Sequence, residues 1–452
     1  MELMAEQLKN KILSTDNTEK YYPITGKRYY ISQNGSDDND GLSPETPFAT
    51  HLALEKVKLE WGDAVLFERG SLFRINDTIW VQSGVTYGSY GTGEKPKIYA
   101  SPADYSEKEW RETDDKNVWQ AAFNYEPATG IVFNGGEEYG TLRHGDKVVK
   151  SPKGSWHFEG ETTVNANGEF YHDYPNGIIY LYCDKGNPAD VYDSIEIMSD
   201  VFVFRAKERD AEHIVIDNIC MKYVGAFAVS ISFSKGHISV TNCEIGYVGG
   251  LYHVNCSVRY GNAIEFWEGY RNITVENNWI YQTFDTAVTW QGRTRGMCEN
   301  ISFCGNLLEY NNSDIEFFEY EGAVLRNFKM DNNIMRFTNG GWGTRVGDSG
   351  IRSEIEGCLR GLFKRITTIE NVSFSGNTMF YPLRRIINCH TVEGQLENVK
   401  CENNTLYFSP KGRTTNEVVR VVYNDVIESE DFEGLKRALS LFDESMDIKY
   451  IN

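Results

Sequence analysis

Residues Ile273–Leu308 read ITVENNWIYQTFDTAVTWQGRTRGMCENISFCGNLL. The stretch opens and closes on one eight-residue pattern, ITVENNWI and ISFCGNLL, apolar at the first, third and eighth places with Asn278 and Asn306 at the sixth. Five further copies align without gaps: Ile214–Met221 (IVIDNICM), Ile238–Ile245 (ISVTNCEI), Phe328–Met335 (FKMDNNIM), Val372–Met379 (VSFSGNTM) and Val399–Leu406 (VKCENNTL). Apolar residues at alternate places mark a strand with one buried face. Asn fills the sixth place again as Asn333, Asn377 and Asn404, and moves to the fifth as Asn218 and Asn242. A strand that recurs with its turn residue in register predicts an all-β solenoid, a right-handed parallel β-helix, whose repeats stack into one long core. Asn suits the turn because it tolerates left-handed backbone, and stacked amides can hydrogen-bond in a ladder. An antiparallel β-sandwich is the alternative.

A second strand follows most copies: AVSISF from Ala228, AIEFWEG from Ala263, AVTWQG from Ala287, DIEFFEYEG from Asp314 and RRIINCH from Arg384. With Val229, Ile264, Val288 and Ile315 inward, Ser230, Glu265, Thr289 and Glu316 fall in one outward row, and Ser232, Trp267, Gln291 and Phe318 in the next. The copies start at 214, 238, 273, 301, 328, 372 and 399, so two intervals are long. These predict insertions at Tyr247–Tyr260 and Gly343–Lys364, as loops walling a rigid scaffold.

The remainder divides around the repeat. Residues 1–26 are expected to cap the open end, with an amphipathic helix over Met1–Leu13. Residues 27–100 hold the first coils, and 101–200 a β-rich insertion with strands such as Gly177–Cys183 (GIIYLYC). The main helix runs over 201–425. Residues 426–452 form a helical cap, since Ser429–Asp443 has a Ser cap, an acidic first turn and helical apolar spacing.

A formal charge of −20 opposes nucleic-acid and anionic-membrane partners, which would be repelled by the surface. No apolar run reaches the ~18–20 residues of a membrane span. Nine cysteines, several inside strand segments, read as reduced packed thiols, and the polar start lacks a signal peptide, so a cytoplasmic location is expected. A leader trimmed from the chain would instead make it secreted. Homo-oligomerisation is left open.

The entry YYISQNGSDDNDGLSPETPF, the later WGDAVLFERG and coils of the type GNAIEFW…ITVENNWIY…DTAVTWQG resemble carbohydrate-active proteins of the parallel β-helix, pectate-lyase-like superfamily. The resemblance is closest to β-helix glycoside hydrolases, including β-xylosidases, that carry a β-rich insertion; NPADVYDSIEI is similar to the end of that insertion. It implies an oligosaccharide or polysaccharide substrate, with acid and nucleophile from nearby coils of one face.

Glycoside hydrolysis uses two carboxyl groups. Glu265, Glu268, Asp285, Asp314, Glu316, Glu319 and Glu321 cluster on or beside the outward face. Glu265 and Glu316 lie two coils apart, about 10 Å between backbones, while Asp285 and Glu316 occupy neighbouring coils. Asp285 and Glu316 are the expected catalytic pair, with Glu265 third. Glu316 is expected to be the desolvated general acid and Asp285 to stay ionised; as plain surface charges they would do neither. Trp267 and Trp342 are candidate sugar platforms, Trp290 reads as core, and Gln291, Phe318, Glu319, Arg345 and His390 are candidate substrate contacts. A polysaccharide lyase would need cations, for which Lys329, Arg336, Arg345, Arg384 and Arg385 are candidates. A non-catalytic carbohydrate-binding β-helix would need an aromatic groove alone. No cofactor is expected; Asp37, Asp38 and Asp40 in GSDDNDG offer oxygens to Ca²⁺, and otherwise simply bend the chain.

Overall fold

The eight-residue pattern resolves into two strands and the sharp corner between them. In Ile273–Ile280 the first four residues end the strand Tyr270–Glu276, and the last two open the strand Trp279–Thr283. The corner separates two tasks that the sequence pattern merges. The fifth residue takes the left-handed backbone in all seven copies: Asn218, Asn242, Asn277, Gly305, Asn332, Gly376 and Asn403 have φ between 53° and 68°. The sixth residue is the ladder. Asn278, Asn306, Asn333, Asn377 and Asn404 are fully buried. Each Oδ1 accepts from the backbone N–H one coil earlier, for example Asn278 N to Asn306 Oδ1 at 3.0 Å. Each Nδ2 donates to a carbonyl of the preceding coil, as Asn306 does to Val275 at 3.0 Å. The left-handed turn expected of the sixth place therefore belongs to the fifth.

A third strand completes each coil, as Thr286–Gly292 does after Trp279–Thr283. The computed structural model describes residues 2–160, 162–292, 297–319, 322–345, 357–361, 365–383, 385–389, 398–409, 417–420, 427–428, 436, 439–440 and 443–451. Within them three sheets of ten strands run the length of a right-handed parallel β-helix. Equivalent residues stack in register, as Ile273, Ile301, Phe328, Val372 and Val399 do in the first sheet. Among the described residues, the one antiparallel pair in these three sheets joins Glu417–Arg420 to Ile427–Glu428 at the end of the third. Inward side chains form a single core in which Trp290 stacks on Phe266 and Phe317, with ring centroids 6.0 and 5.5 Å apart. Burying one such side chain contributes about 1.5–3 kcal/mol.

The coils before and after residues 101–200 stack directly, because Lys97 pairs with Cys220 and Ile79 with Phe204. The intervening chain builds its own small sheets and its own core around Phe123, Phe133, Phe170 and Leu181. The long interval at Tyr247–Tyr260 folds as a hairpin, Leu251–Tyr252 with Arg259–Tyr260, and joins that insertion where Trp156 pairs with Tyr252.

Three expectations need correction. The helix Glu2–Leu13 covers a side of the solenoid, not its end. Its Ala5 and Ile12 pack on Leu307, Ile334 and Phe380 of the second sheet, and Glu2 and Glu6 meet Arg336. The interval Gly343–Lys364 is not all overhang, since Leu359–Gly361 adds a strand to the third sheet. Most of Ser429–Asp443, expected to be a helix, lies outside the described residues, but the cap of 426–452 is not all helix, because Asp447–Tyr450 extends the second sheet and Asp443 Oδ2 accepts the last ladder amide, Asn404 Nδ2, at 2.8 Å. All nine cysteines are free thiols, seven of them buried. No described helix is long and apolar enough to cross a membrane.

Candidate active site

Strand alternation sends every second residue of the third sheet outward, and parallel register stacks those residues coil upon coil. The resulting row runs Trp80, Arg205, Ser230, Glu265, Thr289, Glu316, Arg360 and Asn388, one residue per strand at about 4.8 Å spacing. The sequence register of Glu265, Thr289 and Glu316 is the observed one.

Glu316 is buried and surrounded by donors. Thr289 Oγ1 donates to its Oε2 at 2.6 Å, Gln291 Nε2 donates to the same oxygen at 3.0 Å, and Arg360 ion-pairs with Oε1. These donors satisfy both oxygens of the Glu316 carboxyl group. Asp285 stands in the corner just before the strand Thr286–Gly292. Its Oδ1 is sealed from solvent and has no hydrogen-bond partner among the described residues. Burial pushes the Asp285 carboxyl up to about 7, and the Glu316 charge pushes the same way, against Arg360 and Thr286. Burial likewise pushes Glu265 up to about 7. Asn262, 3.4 Å away, and Arg205 pull it down, while the charges of Glu316 and Asp285 raise it further. The three candidate carboxyls thus share one electrostatic site. Glu316 is buried as expected, but with Arg360 on it; the expectation that needs correction is Asp285, whose carboxyl is raised, as is that of Glu265.

The next outward column holds Trp267, Gln291 and Phe318, all half-buried, with Phe318 under the Arg360 guanidinium at 5.7 Å. Trp342 is not a platform. It has no exposed surface, donates from Nε1 to Val248 O at 3.1 Å, and packs on Phe284. Tyr139 of the insertion stacks against it, so it locks that domain to the solenoid. Trp290 is core, as expected. Asp314 and Glu268 are buried away from the row. Asp314 is held by Asn311, Thr338 and Cys358 and pushed up to about 7 by burial. Glu319 ends the strand Ser313–Glu319 and Arg345 ends the short helix Trp342–Arg345, but both side chains, and the whole of His390 and Glu321, lie outside the described residues.

Of the cations considered for a lyase, Arg336 is on the second sheet with Glu309, and Lys329 is on the outside of the first. The cations on the row are Arg205 and Arg360, which sequence reading passed over. Their signal was faint but present. FRA at Phe204–Ala206 and LRG at Leu359–Gly361 repeat the in–out–in alternation of IEF, but the flanking insertions break the spacing that would have aligned them. Asp200, pushed up to about 6 by burial and by Glu126, and Tyr260 of the hairpin border the same site.

In the acidic entry turn, Asp37 accepts from Ala49 N, Thr50 N and Thr50 Oγ1, and Asp40 from Leu42 N and Thr46 Oγ1. Those carboxylates staple the turn. No group of three or more potential metal ligands occurs among the described residues.

No protein-family model matches the chain, and no curated protein matches it in sequence. Among solved structures it is similar to a family 136 lacto-N-biosidase from Eubacterium ramulus, at 14% identity over 94% of this chain and 68% of that one, with a TM-score of 0.36. It is also similar to XylC in complex with xylose, at 12% identity over 88% and 86% of the chains and a TM-score of 0.43. A third likeness is to a family 28 exopolygalacturonase from Yersinia enterocolitica, at 11% identity over 89% and 75% and a TM-score of 0.41.

Proposed function

We propose that the protein is a glycoside hydrolase acting on oligosaccharides from plant or microbial polysaccharides, with Glu316, Asp285 and Glu265 on the third sheet as its working carboxyls. One observation carries this reading: a donor-bound carboxylate, Glu316, stands among two acids raised to about 7. Glycosidic cleavage near neutral pH uses that division, one group protonated to give a proton to the leaving oxygen and one charged to attack the sugar or activate water.

Asp285 is the proton donor and Glu316 the charged partner. Glu316 itself helps to keep the proton on Asp285, because its charge raises that group. As Glu316 shares its charge with the developing oxocarbenium, the repulsion relaxes and Asp285 releases its proton more readily. Glu265, held by Asn262, binds sugar hydroxyls beside the reacting ring, and Trp267 offers it an aromatic face.

Separate Glu316→Gln and Asp285→Asn variants, assayed on aryl glycosides and neutral oligosaccharides, are expected to lose about 10²–10⁴ in turnover each. Unchanged turnover in both would sink the assignment. Arg360 supports a second reading, a polysaccharide lyase in which it neutralises a uronate carboxylate. That reading expects ultraviolet absorbance to rise on uronate polymers as an unsaturated product forms. Arg360 is already engaged by Glu316, which favours hydrolysis.

A further inference from the structure

The row of outward residues does not end at the acids. Beyond Glu265 and Ser230 stand Arg205 and Trp80, in the same register and on successive strands. Trp80 keeps 46% of its surface exposed, an aromatic face open to solvent beside Arg205. Arg205 is exposed, forms no ion pair with a described carboxylate, and lies between two rings, 4.4 Å from the centroid of Phe202 and 5.7 Å from that of Trp80. Phe202 continues the wall, stacking on Phe227 at 5.3 Å, and Phe227 meets Tyr260 at 5.5 Å. Tyr260 returns to the acids, its hydroxyl raised by burial and by the charge of Glu265. The outward row and this line of rings run side by side, with the carboxyls at one end and the ring-flanked guanidinium at the other.

We infer that Trp80, Arg205 and Phe202 form a distal subsite for a sugar unit bearing a carboxylate, which extends the glycosidase reading onto acidic oligosaccharides. Two observations select that ligand. The guanidinium is fixed by ring faces, leaving its edge of N–H donors for a planar bidentate acceptor, which a carboxylate supplies. Arg205 acts on Glu265 and Asp200 only at long range and forms no ion pair with a described carboxylate, so its N–H donors stay open to a ligand. Trp80 supplies the stacking face for the ring that carries the acid. Arg205 and Glu265 are two strand spacings apart, about 10 Å, so the acidic unit sits beyond the reacting one and keeps its charge away from Glu316.

The experiment measures binding, by titration calorimetry, to the full-length Glu316→Gln protein. The probes are a hexuronate oligosaccharide and the same oligosaccharide after carboxyl reduction. Tighter binding of the acidic form is expected, with a preference that falls at least tenfold in Arg205→Ala, is only partly rescued by Arg205→Lys, and weakens as salt rises. Trp80→Ala is expected to weaken both ligands, and circular dichroism verifies the fold of each variant. Equal affinity for the two ligands in the parent protein, or an unchanged preference in folded Arg205→Ala, overturns the inference. Turnover of neutral aryl glycosides by the unmodified protein is scored separately. Loss of the acidic preference with turnover intact refutes this subsite alone, whereas absent turnover with the preference intact refutes the hydrolase reading.

Discussion

Asp285 and Glu265 show how little of a residue's role is carried by its own letter. Both are ordinary carboxyls in polar stretches, QTFDTA and AIEFW, and both reach about 7 because the coils above and below them exclude water. A folded-state carboxyl raised in this way holds its proton from about 4, where the unfolded chain releases it, to about 7. Between those values the native state binds more protons, so its stability falls as pH rises and levels off above about 8. The midpoint of urea unfolding should therefore drop from pH 5 to pH 8, and Asp285→Asn with Glu265→Gln should flatten that slope. An equally steep slope in the double variant would show that the acids are solvated. Because the two groups repel each other, their separate effects should not add. At this scale the alternation of IEF and VTW revealed which side chains face outward. Trp342 was misread because the ring that covers it, Tyr139, is some two hundred residues away in sequence.

The corner between the first two sheets is the element that repeats, and its two asparagine places obey different physics. What the fifth place asks in every copy is tolerance of positive φ, which Gly meets without strain, as Gly305 and Gly376 do; Asn218 and Asn242 add side-chain bonds of their own, while Asn277 meets only the exposed Lys11 amine. The sixth asks for an amide that satisfies buried backbone groups in two neighbouring coils. Asn277→Gly should change stability by less than about 1 kcal/mol. Asn278→Gly strips the partner from Cys243 N at 2.9 Å and from Val240 O at 2.9 Å, and should cost several times more, since each orphaned buried group costs about 1–3 kcal/mol. Chemical denaturation of the two variants measures the contrast; equal losses would mean that the ladder is not the stabilising part. The recurrence of Asn was plain in sequence. Its division into turn and ladder was not, because in three copies both places hold Asn.

Over the whole molecule, the solenoid is a scaffold on which three additions sit: the insertion of residues 101–200, the hairpin Leu251–Tyr260 and the helix Glu2–Leu13. The helix shields apolar residues of the second sheet and balances Arg336, which otherwise has Glu309 alone. Deleting residues 1–13 should lower the thermal midpoint and raise binding of a hydrophobic dye, leaving turnover per folded molecule unchanged because the acids lie on the third sheet. Unaltered dye binding would show that the helix is a passive tail. The insertion packs on earlier coils of the same second sheet, where Tyr139 and Trp342 meet Tyr223 and Tyr247, and the hairpin brings Tyr260 beside Glu265.

What the sequence determined by itself is the coil: strand periodicity, the corner residue and the outward row are local patterns with a fixed repeat, and parallel stacking carries them unchanged from one turn to the next. What only the tertiary structure decided is which groups meet across coils of unequal length. Arg360 reaches Glu316, Arg205 reaches the ring of Trp80, and Tyr139 closes over Trp342 because insertions of irregular length return to a common register. The charge of a carboxyl follows from those meetings, through the water they exclude and the cations they bring, and neither is written in the spacing of the repeat.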